Sequence, residues 1–250
     1  MRNLKVVVEY DGTDYHGFAI QDSLRTVQGE LERAISTITE ASTRVVGAGR
    51  TDAGAHALGQ VVSFTTEARL PVADMRRALN ANLPDDILVC SVEEVREGFH
   101  ARRSARGRLY RYSLWNAQAP NLWLRRYRYH VEEPLDVEAM NEAANCLTGT
   151  RDFGCFAFGL RDYVGSGPRR TTVRTLFDAK WWGSIPELDF DVAGTAFLPH
   201  MIRNMVGAML RVGRGKLTPH EFRGLVEVGA EQLSTWTVPA LGLVLVGVEY

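Results

Sequence analysis

The order of strand-like and helix-like segments constrains this fold more than any other feature of the sequence. Three segments of the first half alternate in hydropathy or are rich in β-branched residues, which predicts strands at residues 4–10, 60–66 and 87–95. Between them, apolar residues from Val27 to Ile38 recur at helical spacing, and residues 73–83 predict a second helix that Pro84 ends. The first half is therefore predicted to be βαβαβ.

The second half is a looser repeat of the same pattern. Its predicted strands are 108–115, 171–182, 188–193 and 242–248, and its predicted helices are 136–147, 199–212 and 219–228. We place a boundary near Ala105, which divides the chain into α/β halves of residues 1–105 and 106–250. Helical crossovers of this kind favour strands packed under helices on one face, with the other sheet face free.

Composition excludes several classes of protein. A chain of 250 residues with 45% apolar content can bury a sizeable core. No apolar run approaches membrane-spanning length, and the N-terminus turns acidic before a signal peptide could develop, so we expect a soluble cytoplasmic protein. Cys90, Cys146 and Cys155 are widely spaced without a CxxC pair, which indicates neither a disulfide framework nor a structural zinc site.

Charge is segregated along the chain, although the net charge is only −1. Residues 98–131 contain no acid but eight arginines: Arg102, Arg103, Arg106, Arg108, Arg111, Arg125, Arg126 and Arg128. A second acid-free run covers residues 192–220. These runs are either ordinary solvated faces or an RNA-binding surface. Aromatic residues interleaved with the arginines favour RNA, because unstacked bases rest on rings and guanidinium planes.

A glycine-rich loop from Gly47 to His56 carries one carboxylate, Asp52, between Arg50 and His56. An isolated loop Asp is usually a turn former or a helix cap. A phosphate-binding loop is disfavoured, because Asp52 occupies the third glycine position of that motif and no Gly-Lys-Ser/Thr follows. An acid or nucleophile held by Arg50 explains the surrounding glycines and cation better.

The loop closely resembles the signature of the tRNA pseudouridine synthase A family, with GAGRTDAGAHALGQVVSF at residues 47–64. Further family motifs follow in the same order along the chain: YDGT at 10–13, TVQG at 26–29, FHAR at 99–102, RLYRY at 108–112, RTL at 174–176 and HMIRN at 200–204. The resemblance implies an α+β pseudouridine synthase fold, in which two ferredoxin-like halves with mainly antiparallel sheets meet at a central catalytic cleft.

The resemblance also implies roles for individual residues. Asp52 matches the catalytic nucleophile, Arg203 the arginine that pairs with it, and Tyr110 the tyrosine that stacks on the base and is proposed to remove the C5 proton. Among substrate-binding residues, Arg50 matches one thought to help expel the target base. His56 and Arg102 are weaker candidates for RNA contact. From the residues alone, Tyr110 is by default a core aromatic, and Arg203 belongs to a solvated helix edge shared with Gly207 and Arg211.

By resemblance, the substrate is the anticodon arm of tRNA, the target uridines are at positions 38, 39 and 40, and the enzyme is a homodimer. Isomerisation of uridine has no redox step, so no cofactor and no metal are expected. Asp52 could add to C1′, add to the base or abstract a sugar proton, and these alternatives stay open. Two rival functions also remain: a non-catalytic RNA-binding module, and a hydrolase that cuts the N-glycosidic bond without rejoining it.

The sequence departs from the family pattern at four places. Ala19-Ile20 replaces a glutamine-bearing stretch, Arg151 stands where His is common, Pro199 replaces an aromatic residue, and Val238 interrupts a Thr-Ala-Pro-Ala run. None of these departures falls on Asp52, Tyr110 or Arg203. They bear on RNA docking and on the range of targets.

Overall fold

The computed structural model describes residues 1–159, 171–229 and 236–250. Within these ranges the strands are β1 Arg2–Tyr10, β2 Val46–Gly47, β3 His56–Thr66, β4 Ile87–Val95, β5 Gly107–Asn116, β6 Tyr129–Val131, β7 Gly149–Asp152, β8 Val173–Ser184, β9 Glu187–Gly194 and β10 Leu243–Glu249. The α-helices there are α1 Val27–Thr39, α2 Val72–Asn82, α3 Val137–Asn145, α4 Met201–Gly213 and α5 Pro219–Val228. None of these helices is long and apolar enough to cross a membrane.

The predicted α+β class is confirmed, because helices alternate with strands that pair mostly antiparallel. The chain divides into two compact units, Met1–Arg108 with Val244–Tyr250 and Leu109–Leu243. The closing strand thus belongs to the first unit. The short strands β2, β6 and β7 were not predicted, since two to four residues are too few to show a period.

The first unit orders its strands β4-β1-β3-β10, with β2 paired to the edge of β3. Strand β1 is antiparallel to both neighbours and buries alternate side chains from Leu4 to Tyr10. Helix α1 starts at Val27 and buries one apolar face; Thr26 caps it, since its side chain accepts a hydrogen bond from the Gly29 amide. Helix α2 ends at Asn82, because Leu83 precedes Pro84 and is extended. This packing leaves β3 buried along nearly its whole length.

The other face of this sheet is not wholly free, contrary to the expectation from the helical crossovers. A small cluster of Ala48, Val61 and Ala101 is buried there, with Val7 and Phe99 packed against it. Val7 and Val61 are direct partners across β1 and β3. The cluster ties the start of the glycine-rich loop to the middle of the sheet.

The second unit orders its strands β5-β9-β8-β7, with β6 parallel to β5. Strand β8 is antiparallel to both β7 and β9. Helix α3 packs on β8 and on the two helices that follow it. Helix α5 begins with a capping box, in which the Thr218 side chain and Glu221 satisfy each other's main-chain amides.

Helix α4 is the most deeply buried helix among the described residues. Only Arg203 and Arg211 of its 13 residues are not buried. It begins at Met201 rather than at the predicted residue 199, because His200 has a left-handed backbone with φ of 56°. A helix that is apolar on nearly all sides must be covered by other elements all round. Arg203 and Arg211 mark the one stripe of α4 that is partly accessible.

Candidate active site

Asp52 lies in the loop that joins β2 to β3, and its side chain is half-buried. The loop turns directly after it, where the Ala55 amide donates to the Asp52 carbonyl at 3.1 Å. Gly54 has a φ of 78°, which a residue with a side chain rarely adopts. Arg50 is exposed beside it. Asp52 therefore lies in a defined turn and keeps part of its surface accessible to solvent.

A second segment, residues 12–18, packs backbone to backbone against this loop. A Cβ atom on Gly12 would lie 1.9 Å from the Ala55 carbonyl oxygen, and one on Gly17 would lie 2.8 Å from the Thr51 carbonyl oxygen. The Phe18 amide also donates to the Thr51 carbonyl at 3.1 Å. Glycines are thus required where these two segments touch. This contact gives the YDGT motif a structural reason.

We expect Gly12→Ala to lower turnover about tenfold and to destabilise the protein by about 2 kcal/mol, because backbone must move to accommodate the new methyl group. Gly247→Ala is the matched control, since it lies in the same compact unit, a Cβ there meets nothing within 4 Å, and neither Gly12 nor Gly247 has a positive φ. Turnover and thermal unfolding would be compared for both variants. Equal effects would show that the Gly12–Ala55 contact does not position the loop.

His56 is buried, with only 6% of its surface exposed. Its Nδ1 atom lies 3.0 Å from the Gly12 amide nitrogen and 3.2 Å from a carboxylate oxygen of Asp11. One nitrogen cannot accept from Gly12 and donate to Asp11 at once, so the tautomer selects between these contacts. Either contact joins the start of β3 to the turn after β1. The geometry supports a role in holding the loop, and RNA contact by His56 stays a prediction.

Arg108 holds the same loop from another side, a contact that neither the arginine-rich run nor the RLYRY motif indicated. Its guanidinium donates to the Ala48 carbonyl from Nε at 3.2 Å and from one terminal nitrogen at 2.8 Å. It also donates to the Arg102 carbonyl at 3.1 Å, while the Arg102 side chain is exposed. Arg108 thereby links the loop to the FHAR motif. No periodicity in the sequence could indicate a contact between residues 60 positions apart.

Tyr110 lies on β5 in the second unit and is 6% exposed. Its ring meets the edge of Phe197 at a centroid distance of 5.2 Å. Tyr112, two residues on, is fully buried and its hydroxyl donates to the Pro239 carbonyl at 2.7 Å. Burial raises the pKa of Tyr112 well above its ordinary value. Tyr112 is therefore a structural tyrosine, whereas Tyr110 retains a small accessible surface.

Arg203 and Arg211 share a stripe of α4 that packs against residues 236–238. Arg203 donates from Nε to the Val238 carbonyl at 2.8 Å, and the Arg211 guanidinium lies over the Trp236 ring at 4.5 Å. A Cβ atom on Gly207, between them, would lie 1.5 Å from the Trp236 carbonyl oxygen. The solvated-edge interpretation of this stripe is therefore wrong. Because the contact at Val238 uses main-chain oxygen, its departure from the family pattern leaves the hold on Arg203 intact.

The acid-free runs of sequence are not acid-free in space. Strand pairing and loop packing bring Arg111 to Asp191 at 2.7 Å, and Arg128 to Asp189 at 3.2 Å. Arginines that stay exposed are fewer: Arg102, Arg103, Arg106, Arg125 and Arg126. Trp123 is 92% exposed within the second group. The basic and aromatic surface is thus smaller than the linear pattern predicts, since three of the eight arginines in residues 98–131 hold the fold.

The part of the chain that the structure describes contains no organised site for a metal ion or for a reactive thiol. No three His, Cys, Asp or Glu residues are grouped there as metal ligands would be. Cys146 and Cys155 are buried, and burial raises the pKa of the Cys155 thiol to about 12. Cys90 is exposed as a residue, but partial desolvation and the nearby Glu9 carboxylate raise the pKa of its thiol. A reactive thiolate is therefore disfavoured at these positions.

The chain is similar to one family of known proteins along most of its length. A model of the tRNA pseudouridine synthase family matches residues 6–102 and 143–250. A relative from Acetivibrio thermocellus named tRNA pseudouridine synthase A is 42% identical over 250 residues, which is the full length of both chains. Relatives of the same name from Anoxybacillus flavithermus and Moorella thermoacetica are 41% and 40% identical, over at least 99% of each chain. The chain therefore belongs to the tRNA pseudouridine synthase family.

Proposed function

We propose that this protein is an isomerase that converts uridine to pseudouridine at positions 38, 39 and 40 of the tRNA anticodon stem-loop. The observation that carries this proposal is the 42% identity, over the full length of both chains, with a relative named tRNA pseudouridine synthase A. The site residues named by the motifs are intact, and Asp52 stands in a loop built for close backbone contacts.

The reaction breaks the bond between N1 of uracil and C1′ of ribose and forms a bond between C5 and C1′. The uracil must turn while it stays bound, the C5 proton leaves, and N1 gains a proton. No electrons are exchanged with a second molecule, so the atoms balance without a cofactor. The enzyme must therefore supply a carboxylate beside the sugar, a surface for the detached base and a route for one proton.

Asp52 is the proposed carboxylate, acting as the nucleophile. A half-buried position suits this role, because partial desolvation strengthens its interaction with a sugar that develops positive charge. An ionised carboxylate in such a place needs a cationic partner. Arg203 is the proposed partner on the family resemblance, and its Nε bond to the Val238 carbonyl would limit its side-chain freedom.

Tyr110 is the proposed platform for the target base, with proton removal from C5 as its further role. Its ring packs edge-on against Phe197, an arrangement that restrains its orientation. A phenol is a weak base at neutral pH, so proton removal by Tyr110 would depend on nearby positive charge. The target uridine must also leave the helical stack, which costs a few kcal/mol.

We propose that exposed cations, through contacts with phosphates, offset the cost of unstacking the target uridine. Arg50 and Arg102 have exposed side chains and, with the buried His56 as a weaker candidate, are the proposed contacts to tRNA in the first unit. Shape should select the substrate more than base edges, because A-form helices hide their sequence. We further propose that the protein acts in the cytoplasm as a homodimer.

An RNA-binding module without catalysis is the alternative from another class. Such a protein would need the exposed arginines but would have no use for Asp52. A hydrolase that cuts the N-glycosidic bond is the second rival, and it would release free uracil. The mass of the RNA and the fate of the base distinguish all three functions.

The test is tritium release from unmodified tRNA that carries [5-³H]uridine, with no cofactor or metal added. We expect the wild-type protein to release tritium while the tRNA keeps its mass and its chain length, and mapping should place the product at positions 38, 39 and 40. Release of free uracil would support the hydrolase. Tight tRNA binding without either product would support the binding module and contradict our proposal.

A further inference from the structure

Gln60 has a side chain that is completely buried in the middle of β3, where apolar residues are the rule. Its amide forms two hydrogen bonds with one residue of the glycine-rich loop. The Gly49 amide donates to Oε1 at 3.3 Å, and Nε2 donates to the Gly49 carbonyl at 2.9 Å. A side-chain amide thus pairs with Gly49 as a neighbouring strand would. It fixes the main chain just before Arg50.

Tyr10 holds the same loop two residues further on. Its hydroxyl lies 2.8 Å from the Thr51 Oγ1 atom, and both residues are buried. The Gln60 Nε2 atom is 3.5 Å from the same Tyr10 hydroxyl, at the outer limit of a hydrogen bond. Three side chains from β1, β3 and the loop therefore form one buried polar cluster, which we call the Tyr10–Thr51–Gln60 cluster.

This cluster is conspicuous because its members are buried polar groups with hydrogen-bond partners on the loop itself. Burying a polar group is unfavourable unless it is satisfied, so apolar residues would serve a simple core better. The loop positions that the cluster holds, Gly49 and Thr51, lie on either side of Arg50. Thr51 is also the residue directly before Asp52.

We propose that Tyr10 and Gln60 are positioning residues, which act through Gly49 and Thr51 to hold Asp52 in its productive orientation. This inference rests on the proposed function, in which Asp52 is the catalytic carboxylate. A catalytic group must be held to within about 0.5 Å of its productive geometry, and an error of about 1 Å can lower a rate 10²-fold. A loop of glycines cannot supply that rigidity by itself.

The cluster is also constant across the working pH range. Burial raises the pKa of Tyr10 to about 12, so its hydroxyl stays protonated wherever the enzyme would be assayed. The carboxamide of Gln60 and the hydroxyl of Thr51 do not titrate there either. Loss of the cluster should therefore lower the rate at every pH alike, without a change in the shape of the pH profile.

The experiment removes one hydroxyl at a time and measures the single-turnover rate and the tRNA dissociation constant separately. We expect Tyr10→Phe and Thr51→Val each to lower the rate about tenfold, which corresponds to about 1.4 kcal/mol, with tRNA affinity within about twofold of wild type. Thr51→Ser keeps the hydroxyl and should keep at least about half of the rate. This rescue separates a hydrogen-bond role from a packing role.

Tyr250→Phe is the matched control for Tyr10→Phe. The Tyr250 hydroxyl donates to the Ala101 carbonyl at 2.8 Å, in the same compact unit, and it is partly buried. Both variants remove one phenol hydroxyl that makes a hydrogen bond of the same length. Similar changes in thermal stability are expected for the two, whereas only Tyr10→Phe should slow turnover.

Coupling between the two hydroxyls gives a second measurement. If Tyr10 acts through Thr51, the rate of the double variant Tyr10→Phe/Thr51→Val should equal that of each single variant, within about twofold. Multiplied effects would mean that the two residues act independently, which would overturn the inference. Rates for Tyr10→Phe and Thr51→Val equal to that of Tyr250→Phe would overturn it too, provided that the wild type forms pseudouridine. A wild type that forms none would overturn the proposed function together with this inference.

Discussion

Asp52→Asn should abolish isomerisation, with a rate at least about 10⁴-fold below wild type and tRNA affinity changed by no more than about twofold. Asparagine keeps the shape of the side chain, so the turn that the Ala55 amide makes on the Asp52 carbonyl remains. What is lost is the negative charge, and with it the nucleophile and the stabilisation of a positively charged sugar. The change therefore tests chemistry without disturbing the loop.

The measurement is tritium release in a single turnover, beside tRNA binding at fixed salt, because phosphate contacts make affinity depend on ionic strength. Asp74→Asn is the matched control: this carboxylate is also partly buried, but it lies in the first turn of α2, paired with Arg77. The control should turn over as wild type does. An active Asp52→Asn variant would rule out the proposed mechanism, while the proposed activity of the wild type would stand.

Arg203→Leu should lower the single-turnover rate about 10²- to 10³-fold, because the variant removes the proposed cationic partner and leaves a partly desolvated carboxylate unpaired. The change also breaks the hydrogen bond from Nε to the Val238 carbonyl. Arg203→Lys keeps a positive charge but cannot reproduce the planar guanidinium, so we expect it to recover only part of the rate.

Arg211→Leu is the control that separates charge pairing from helix packing. Arg211 lies two turns further along the same stripe of α4 and stacks on Trp236, so its loss removes comparable packing. We expect Arg211→Leu to lower the thermal midpoint as Arg203→Leu does, with a rate within about threefold of wild type. If both variants lose the same activity, Arg203 acts through the stability of α4 and the proposed pairing is wrong.

The positions of the main helices and strands follow from local patterns in the amino-acid sequence. Helical spacing from Val27 to Ile38 and alternation through β1 survive because one face of each element is buried on the sheet. The glycine-rich motif likewise singled out Asp52 as the candidate carboxylate, and the structure places the backbone of Gly12 and Gly17 against its loop. Periodicity and local steric demands depend on residues that are close in the sequence, so they can be recognised without knowledge of the fold.

Tertiary contacts, in contrast, set which side chains hold the loop and which arginines remain accessible. Gln60 reaches Gly49 across 11 residues, Tyr10 reaches Thr51 across 41, and Arg108 reaches Ala48 across 60. In the same way, Arg111 and Arg128 look like a basic surface in the sequence, but strand pairing places Asp191 and Asp189 against them. Such contacts depend on the register of distant strands, and a buried hydrogen bond leaves no periodic trace in the chain.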